Sequence, residues 1–249
     1  MKTHKTKVNI ADGYDELSWI AAESVIQTVQ HKPEAVVCIA AGDTPAGMID
    51  YLVQSQENGS VDFTSCQFIG LDEWEGLGES DAGSCQHFLR HHLFQPLGIK
   101  QDNIHVFDAK AEDLDMECRK MNDHLSSIGG LDVAVLGIGV NGHVGFNEPG
   151  TSLDGEAHVI SLDEKTQEVG RKYFHSSMNP PQKGVTLGMK QLLDASKVIV
   201  IANGIKKRSA VRDMLYGEVS PAHPASILRY HSSLSVIIDR EAYDMTNSS

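Results

Sequence analysis

Short runs of β-branched and aliphatic residues alternate with longer amphipathic stretches along this chain, and that alternation restricts the fold more than any other feature. Strands are expected at residues 7–10, 35–40, 66–71, 104–107, 133–137, 197–201 and 234–238. Helical periodicity occupies residues 15–30, 45–55, 84–93, 112–128, 189–194 and 206–216, with Gly, Pro and Asn clusters between. Strands separated by helices pair in parallel, because a crossover helix returns the chain to the same sheet edge. The expected fold is therefore α/β: a single doubly wound, Rossmann-like domain over residues 1–249 with a mainly parallel central sheet. In such a sheet ligands bind outside the carboxyl ends of the strands, so the loops that follow the strands should carry the chemistry.

Charge removes several classes of partner. The formal net charge is -13, whereas nucleic-acid binding needs clustered Lys and Arg to neutralise phosphates, so no nucleic-acid partner is expected. No stretch reaches the about eighteen apolar residues of a membrane span, and the amino-terminal residues Met1-Lys2-Thr3-His4-Lys5 lack an apolar core, which predicts a cytoplasmic protein with no membrane partner. Cys38, Cys66, Cys85 and Cys118 show no CxxC spacing and are expected as reduced thiols. The 12 histidines, among them His87, His91, His92 and His175, are scattered without the carboxylate partners of a metal site, and no metal is expected.

Three strand-following loops stand out. In Ala41-Gly42-Asp43-Thr44-Pro45, Thr44 can cap a helix whose first turn Pro45 suits, and Gly42 permits close backbone approach. Free amides and the helix dipole would favour a phosphate there, although an ordinary capped helix fits as well, and Asp43 opposes an anion unless its carboxylate turns away. Cations could come from Arg171-Lys172 or from Lys206-Lys207-Arg208, each equally readable as solvated surface. In the second loop, Asp72-Glu73-Trp74 stands at a strand tip. Adjacent side chains alternate, so one of the two carboxylates should enter the pocket as a general base while the other makes structural hydrogen bonds. The third, Gly137-Ile138-Gly139-Val140-Asn141-Gly142, has the spacing G-x-G-x-x-G of a dinucleotide loop. The continuation His143-Val144-Gly145-Phe146-Asn147-Glu148-Pro149-Gly150 cannot form the required helix, and the polar residues Asn141, His143 and Glu148 instead suggest an acid/base relay.

Leu71-Asp72-Glu73-Trp74, the stretch from Gly137 to Gly150, and Gly184-Val185-Thr186-Leu187-Gly188-Met189 together closely resemble the glucosamine-6-phosphate deaminase (isomerase) family, a likeness running from about Val8 to Arg240. The resemblance implies an enzyme with no cofactor that isomerises a hexosamine 6-phosphate and releases ammonia. It implies that Asp72 moves the C2 proton and that His143 opens the sugar ring, supported by Glu148 and by Asn141, which would orient His143. It implies a phosphate on Ala41, Gly42, Asp43 and Thr44 with Lys172 and Lys207, and a sugar phosphate as the partner of a monomer or small homo-oligomer. Asp43 replaces a small residue usual in that family, and Lys172 stands where Arg is commoner, exchanging a bidentate fork for a point charge. Ser84-Cys85, Gln95-Pro96-Leu97-Gly98 and Gly129-Gly130-Leu131-Asp132 look more like galactosamine-6-phosphate members, which leaves the epimer open. Glu156, His158 and Ile160 stand where larger members carry basic residues for an allosteric amino-sugar phosphate, so no such activation is expected. Residues 158–181, with a helix at 164–174, are expected as a lid. A 6-phosphogluconolactonase-like hydrolase and a sugar-phosphate sensor module are the alternatives on the same fold.

Overall fold

The structure is a computed structural model that describes residues 2–174 and 180–243. Its centre is a seven-stranded parallel sheet. In chain order the strands are β1 (Lys7–Ala11), β2 (Val36–Ile39), β3 (Gln67–Ile69), β5 (Ile104–His105), β6 (Val133–Gly137), β9 (Val198–Ala202) and β10 (Leu234–Asp239). They lie in the order β1-β10-β9-β6-β2-β3-β5, every neighbouring pair parallel. Each strand foreseen from the sequence is present, displaced by a few residues at its ends. The helices are α1 (Tyr14–His31), α2 (Asp43–Glu57), α3 (Cys85–Leu89) running on through a wider π turn at Arg90–Phe94, α4 (Leu114–Ile128), α5 (Glu164–Gly170), α6 (Met189–Leu193), α7 (Arg208–Tyr216), α8 (Pro224–Ile227) and α9 (Arg240–Tyr243).

The sheet is apolar on both faces because helices cover both. Along β2 all four residues are buried: Val36 and Cys38 join one core with Ala134, Leu136, Val198 and Val200, while Val37 and Ile39 join the other with Val133, Val135, Ile199 and Ile201. Each such aliphatic side chain contributes about 1.5–3 kcal/mol of transfer free energy. The Cys38, Cys66 and Cys118 thiols are buried in these layers and unpaired.

The topology fixes where a ligand can sit. From β2 the chain winds outward through β3 to β5, then returns to β6 on the other side of β2 and winds the opposite way through β9 and β10. The carboxyl ends of β2 and β6 thus flank the point where the winding reverses, and loops leaving two adjacent strands in opposite directions open a crevice there.

A second sheet was not foreseen. β4 (Asp72–Trp74), β7 (His158–Ser161) and β8 (Lys183–Thr186) form an antiparallel sheet in the order β4-β8-β7. Asp72 is consequently not the tip of a central strand, as its sequence position suggested. The chain leaves β3 at Gly70 and starts a new strand at Asp72, paired with Thr186. An aromatic cluster packs this small sheet against the segment after α5, with Trp74 4.8 Å from Phe146 and 5.4 Å from Phe174 in edge-on contacts. The expected lid helix resolves into α5 and a 3-10 turn at Arg171–Tyr173, and the rest of the expected lid includes residues 175–179, which lie outside the described residues.

Candidate active site

A cavity of about 490 Å³ lies at the reversal point and is lined by residues of all three loops, including Gly42, Asp72, His143 and Lys207. The loop after β2 enters α2 through Gly42, not through Thr44 as the sequence suggested. Gly42 is the N-cap at φ 114°, a conformation that glycine adopts freely, and no side chain caps the helix. Thr44 lies inside the first turn, where its hydroxyl donates to Asn203 Oδ1 at 2.9 Å. The Tyr14 hydroxyl donates to the Asp43 carbonyl at 2.8 Å and accepts from the Gly47 amide at 2.8 Å, so α1 pins the first turn of α2.

Two lysines reach this helix start from distant parts of the chain. Lys207, in the turn after β9, donates to the Ile138 carbonyl at 2.6 Å. Burial, with the nearby Lys172 charge, pushes its pKa down to about 8. Lys172 follows α5 and pairs with the Asp43 carboxylate, 129 positions away in sequence. Burial works most strongly against the Lys172 charge, but hydrogen bonds and charge from Asp43 and Tyr173 together outweigh it and its pKa is raised. The Asp43 carboxylate therefore turns toward a cation rather than onto the amides of α2.

Asp72 and Glu73 divide as alternation requires. Glu73 is fully buried and structural: its carboxylate accepts from Ser84 Oγ at 2.7 Å and from the amides of Trp74 at 2.8 Å, Gln86 at 2.9 Å and Cys85 at 3.1 Å. Asp72 lines the cavity. Burial, and then repulsion from Glu73, push its carboxyl up to about 7, partly offset by the Cys85 thiol. Two carboxylates this close cannot both ionise cheaply, and the hydrogen-bonded Glu73 leaves Asp72 as the basic partner.

The glycine loop after β6 places the relay. The Gly139 amide donates to the His143 carbonyl at 2.8 Å, and a Cβ on Gly139 would fall inside the His143 imidazole, so only glycine admits the ring. Nδ1 of His143 lies 3.4 Å from Glu148 Oε2 and 3.0 Å from Thr166 Oγ1 of α5. Asn141 was expected to orient His143. It instead donates to Glu148 Oε2 at 2.8 Å and accepts from the His143 backbone amide at 3.2 Å, so it holds the carboxylate and the loop rather than the imidazole. Burial alone would raise the Glu148 pKa, but hydrogen bonds and charge from His143, with help from Thr166 and Asn141, bring it below the ordinary glutamate value.

The structure thus brings Asp72, His143, Lys172, Lys207 and the Ala41–Thr44 loop to the lining of one cavity, whereas Glu148 and Asn141 do not line it and connect to it through His143. It adds Thr166, Tyr173 and Cys85 to the lining, places that no local pattern foretells because they reach the cavity only through packing of α5, the 3-10 turn after it and α3. Among the described residues, no group of three or more His, Cys, Asp or Glu side chains could hold a metal ion, and no helix is long and apolar enough to cross a membrane.

The family of glucosamine-6-phosphate isomerases and 6-phosphogluconolactonases matches residues 13–237. The chain belongs to this family. Within it, a glucosamine-6-phosphate deaminase of Thermoanaerobacter sp. (strain X514) is 37% identical over 236 residues, covering 95% of this chain and 93% of the relative. A solved structure described as a monomeric glucosamine-6-phosphate deaminase superposes with a TM-score of 0.93 at 37% identity, covering 95% of this chain and 98% of that one. A 6-phosphogluconolactonase from Trypanosoma brucei, at 21% identity and a TM-score of 0.77 over 96% of this chain and 98% of that one, shares the fold.

Proposed function

We propose that this protein is a glucosamine-6-phosphate deaminase that converts glucosamine 6-phosphate to fructose 6-phosphate and ammonia. The observation that carries the reading is Asp72: a carboxylate facing the cavity, held near neutrality by burial and by Glu73, beside a separate His143–Glu148 pair. A lactone hydrolysis needs no base at C2, whereas an aldose–ketose shift does.

The phosphate sits on the amides of residues 42–44, with Lys207 and Lys172 supplying charge. This places the sugar ring between the relay and Asp72. His143 takes the C1 hydroxyl proton and delivers a proton to the ring oxygen as the C1–O5 bond breaks, and Glu148, held by Asn141, stabilises the imidazolium formed between the two transfers. The open chain presents C2 beside the free aldehyde, where the carbonyl acidifies the C–H bond. Asp72 takes the C2 proton while the carbonyl oxygen gains one from water, forming a 1,2-enolamine, and then returns a proton to C1 as the amine gives one back to water. The resulting C2 imine is hydrolysed by water to the ketose and ammonia. Acid and base roles separate because one carboxyl is held above its ordinary value and the other below it.

No step draws on a metal or nucleotide, and we read the enzyme as cytoplasmic and as a monomer or small homo-oligomer, in keeping with the relative described as monomeric. Ammonia release is measured on glucosamine 6-phosphate and galactosamine 6-phosphate in parallel, with chelator and without nucleotide. Release from the gluco sugar is the expected result. Release from the galacto sugar alone would overturn the epimer, and silence on both with turnover of 6-phosphogluconolactone would overturn the reaction.

A further inference from the structure

The phosphate seat contains its own anion. Asp43 occupies the first helical position of α2, at the point where the uncapped amides face the cavity, and its carboxylate is 69% exposed. An acidic residue there has an ordinary explanation, favourable interaction with the helix dipole. That explanation does not account for its partner. The carboxylate pairs with Lys172, which comes from the far side of the cavity and also lies 4.7 Å from the Tyr173 ring centroid. Tyr173 in turn closes on the same loop, because its hydroxyl lies 3.2 Å from where a Cβ on Gly42 would stand. Lys172 is thereby neutralised by the one acidic side chain of the loop that would hold the phosphate.

Resting on the reading that residues 42–44 seat a phosphate, we propose that Asp43 is an internal competitor for Lys172: it holds the lysine until the substrate phosphate displaces it, and so sets the affinity and anion selectivity of the seat. The charge count shows the consequence. Lys165 and Lys206 also line the cavity, but counting only Lys172, Lys207 and position 43, a small residue there would leave two positive charges, whereas Asp43 leaves a net of one. A phosphate dianion must then break the Lys172–Asp43 pair and leave a carboxylate beside itself, a cost that a singly charged anion meets less severely. Lys172, a point charge rather than a bidentate fork, releases one partner for another without re-forming a fixed geometry.

Inorganic phosphate is the probe, titrated calorimetrically at pH 7.5 against wild type, Asp43→Asn, Asp43→Ser, Lys172→Ala and the Asp43→Asn/Lys172→Ala double variant, with melting temperatures as the check on folding. Asp43→Asn and Asp43→Ser are expected to bind phosphate about tenfold tighter, and the gain is expected to shrink to about twofold or less once Lys172 is absent. Unchanged or weaker binding in both Asp43 variants would overturn the proposal. An equal gain with and without Lys172 would also overturn it, since Asp43 would then act by simple repulsion. Phosphate binding is read without turnover, so failure to release ammonia from glucosamine 6-phosphate would sink the proposed reaction and leave this measurement to stand or fall separately.

Discussion

The two parts of the cavity are built in opposite ways. Around Asp72, Glu73, His143 and Glu148 the polar groups are buried, as Glu73 and Glu148 are, or half-buried, as Asp72 and His143 are, and are held by short-range partners, with Glu73 alone accepting four hydrogen bonds. Around Asp43 and Lys172 the charges are half exposed and held mainly by each other, with side-chain exposures of 69% and 50%. The first arrangement fixes geometry and shifts pKa values, because desolvated groups feel their neighbours strongly. The second fixes little and can exchange partners, because solvent screens an exposed pair to a net worth of about 0–1 kcal/mol. The proposed reaction, which must hold a proton-transfer geometry and also accept and release an anion, needs both.

Substitutions at the buried part should therefore cost far more than substitutions at the exposed part. Asp72→Asn should lower kcat by about 10³-fold or more and abolish solvent hydrogen exchange at C2 while phosphate still binds. Retained exchange would remove Asp72 from the role of base. His143→Asn and Glu148→Gln should each lower kcat about 10²-fold, with the double variant scarcely worse than either single one if they act as a unit, as tested by a kinetic double-mutant cycle. Glu73→Gln should leave the cavity lining in place yet destabilise the fold by about 2–4 kcal/mol in urea denaturation, since several buried donors lose a charged acceptor. At the exposed part, Lys172→Ala should raise KM by about tenfold or less with little change in kcat, the smallest effect of the series.

The pH dependence sharpens the same contrast. In the proposed mechanism, activity requires Asp72 ionised and Lys207 charged. With these groups at about 7 and about 8, kcat/KM should form a narrow bell with its maximum between about pH 7 and 8. Lys207→Met should lower the maximum and remove the alkaline limb. Stability follows the sign of the Asp72 shift. Its folded pKa is raised above the unfolded value, so the contribution is fully present below the ordinary carboxyl pKa and is lost as pH rises through about 7. Asp72→Asn should therefore melt above wild type at pH 8, and the gap should close toward pH 4. A constant gap would mean that Asp72 is not desolvated.

Much of this was readable from residue order. The central strands announce themselves as continuous apolar runs such as Val198–Ala202, because a sheet covered on both faces has no polar parity. The irregular course of the third loop was legible because glycines followed by Pro149 exclude a crossover helix, leaving His143 and Glu148 as candidate acid/base residues. Thr166 and Cys85 were not legible, since neither has a pattern of its own. The second sheet was missed for a different reason: β4 is three residues long and finds its partner β8 more than a hundred residues later, beyond any local periodicity.

The residue sequence by itself determined the α/β alternation, the three loops at strand ends, and the rule that only one of Asp72 and Glu73 could face the ligand, because these follow from periods of two and 3.6 within a few residues. Parity left open which of the two turns inward, a choice that the family resemblance assigned to Asp72; the tertiary structure alone decided that Gly42 rather than Thr44 begins α2, that Asn141 serves Glu148 rather than the imidazole, and that Asp43 meets Lys172 across 129 positions. Periodicity gives parity but not its sign. Contacts between residues so distant in sequence exist only after the sheet has brought its carboxyl ends together and burial has assigned each charge its partner.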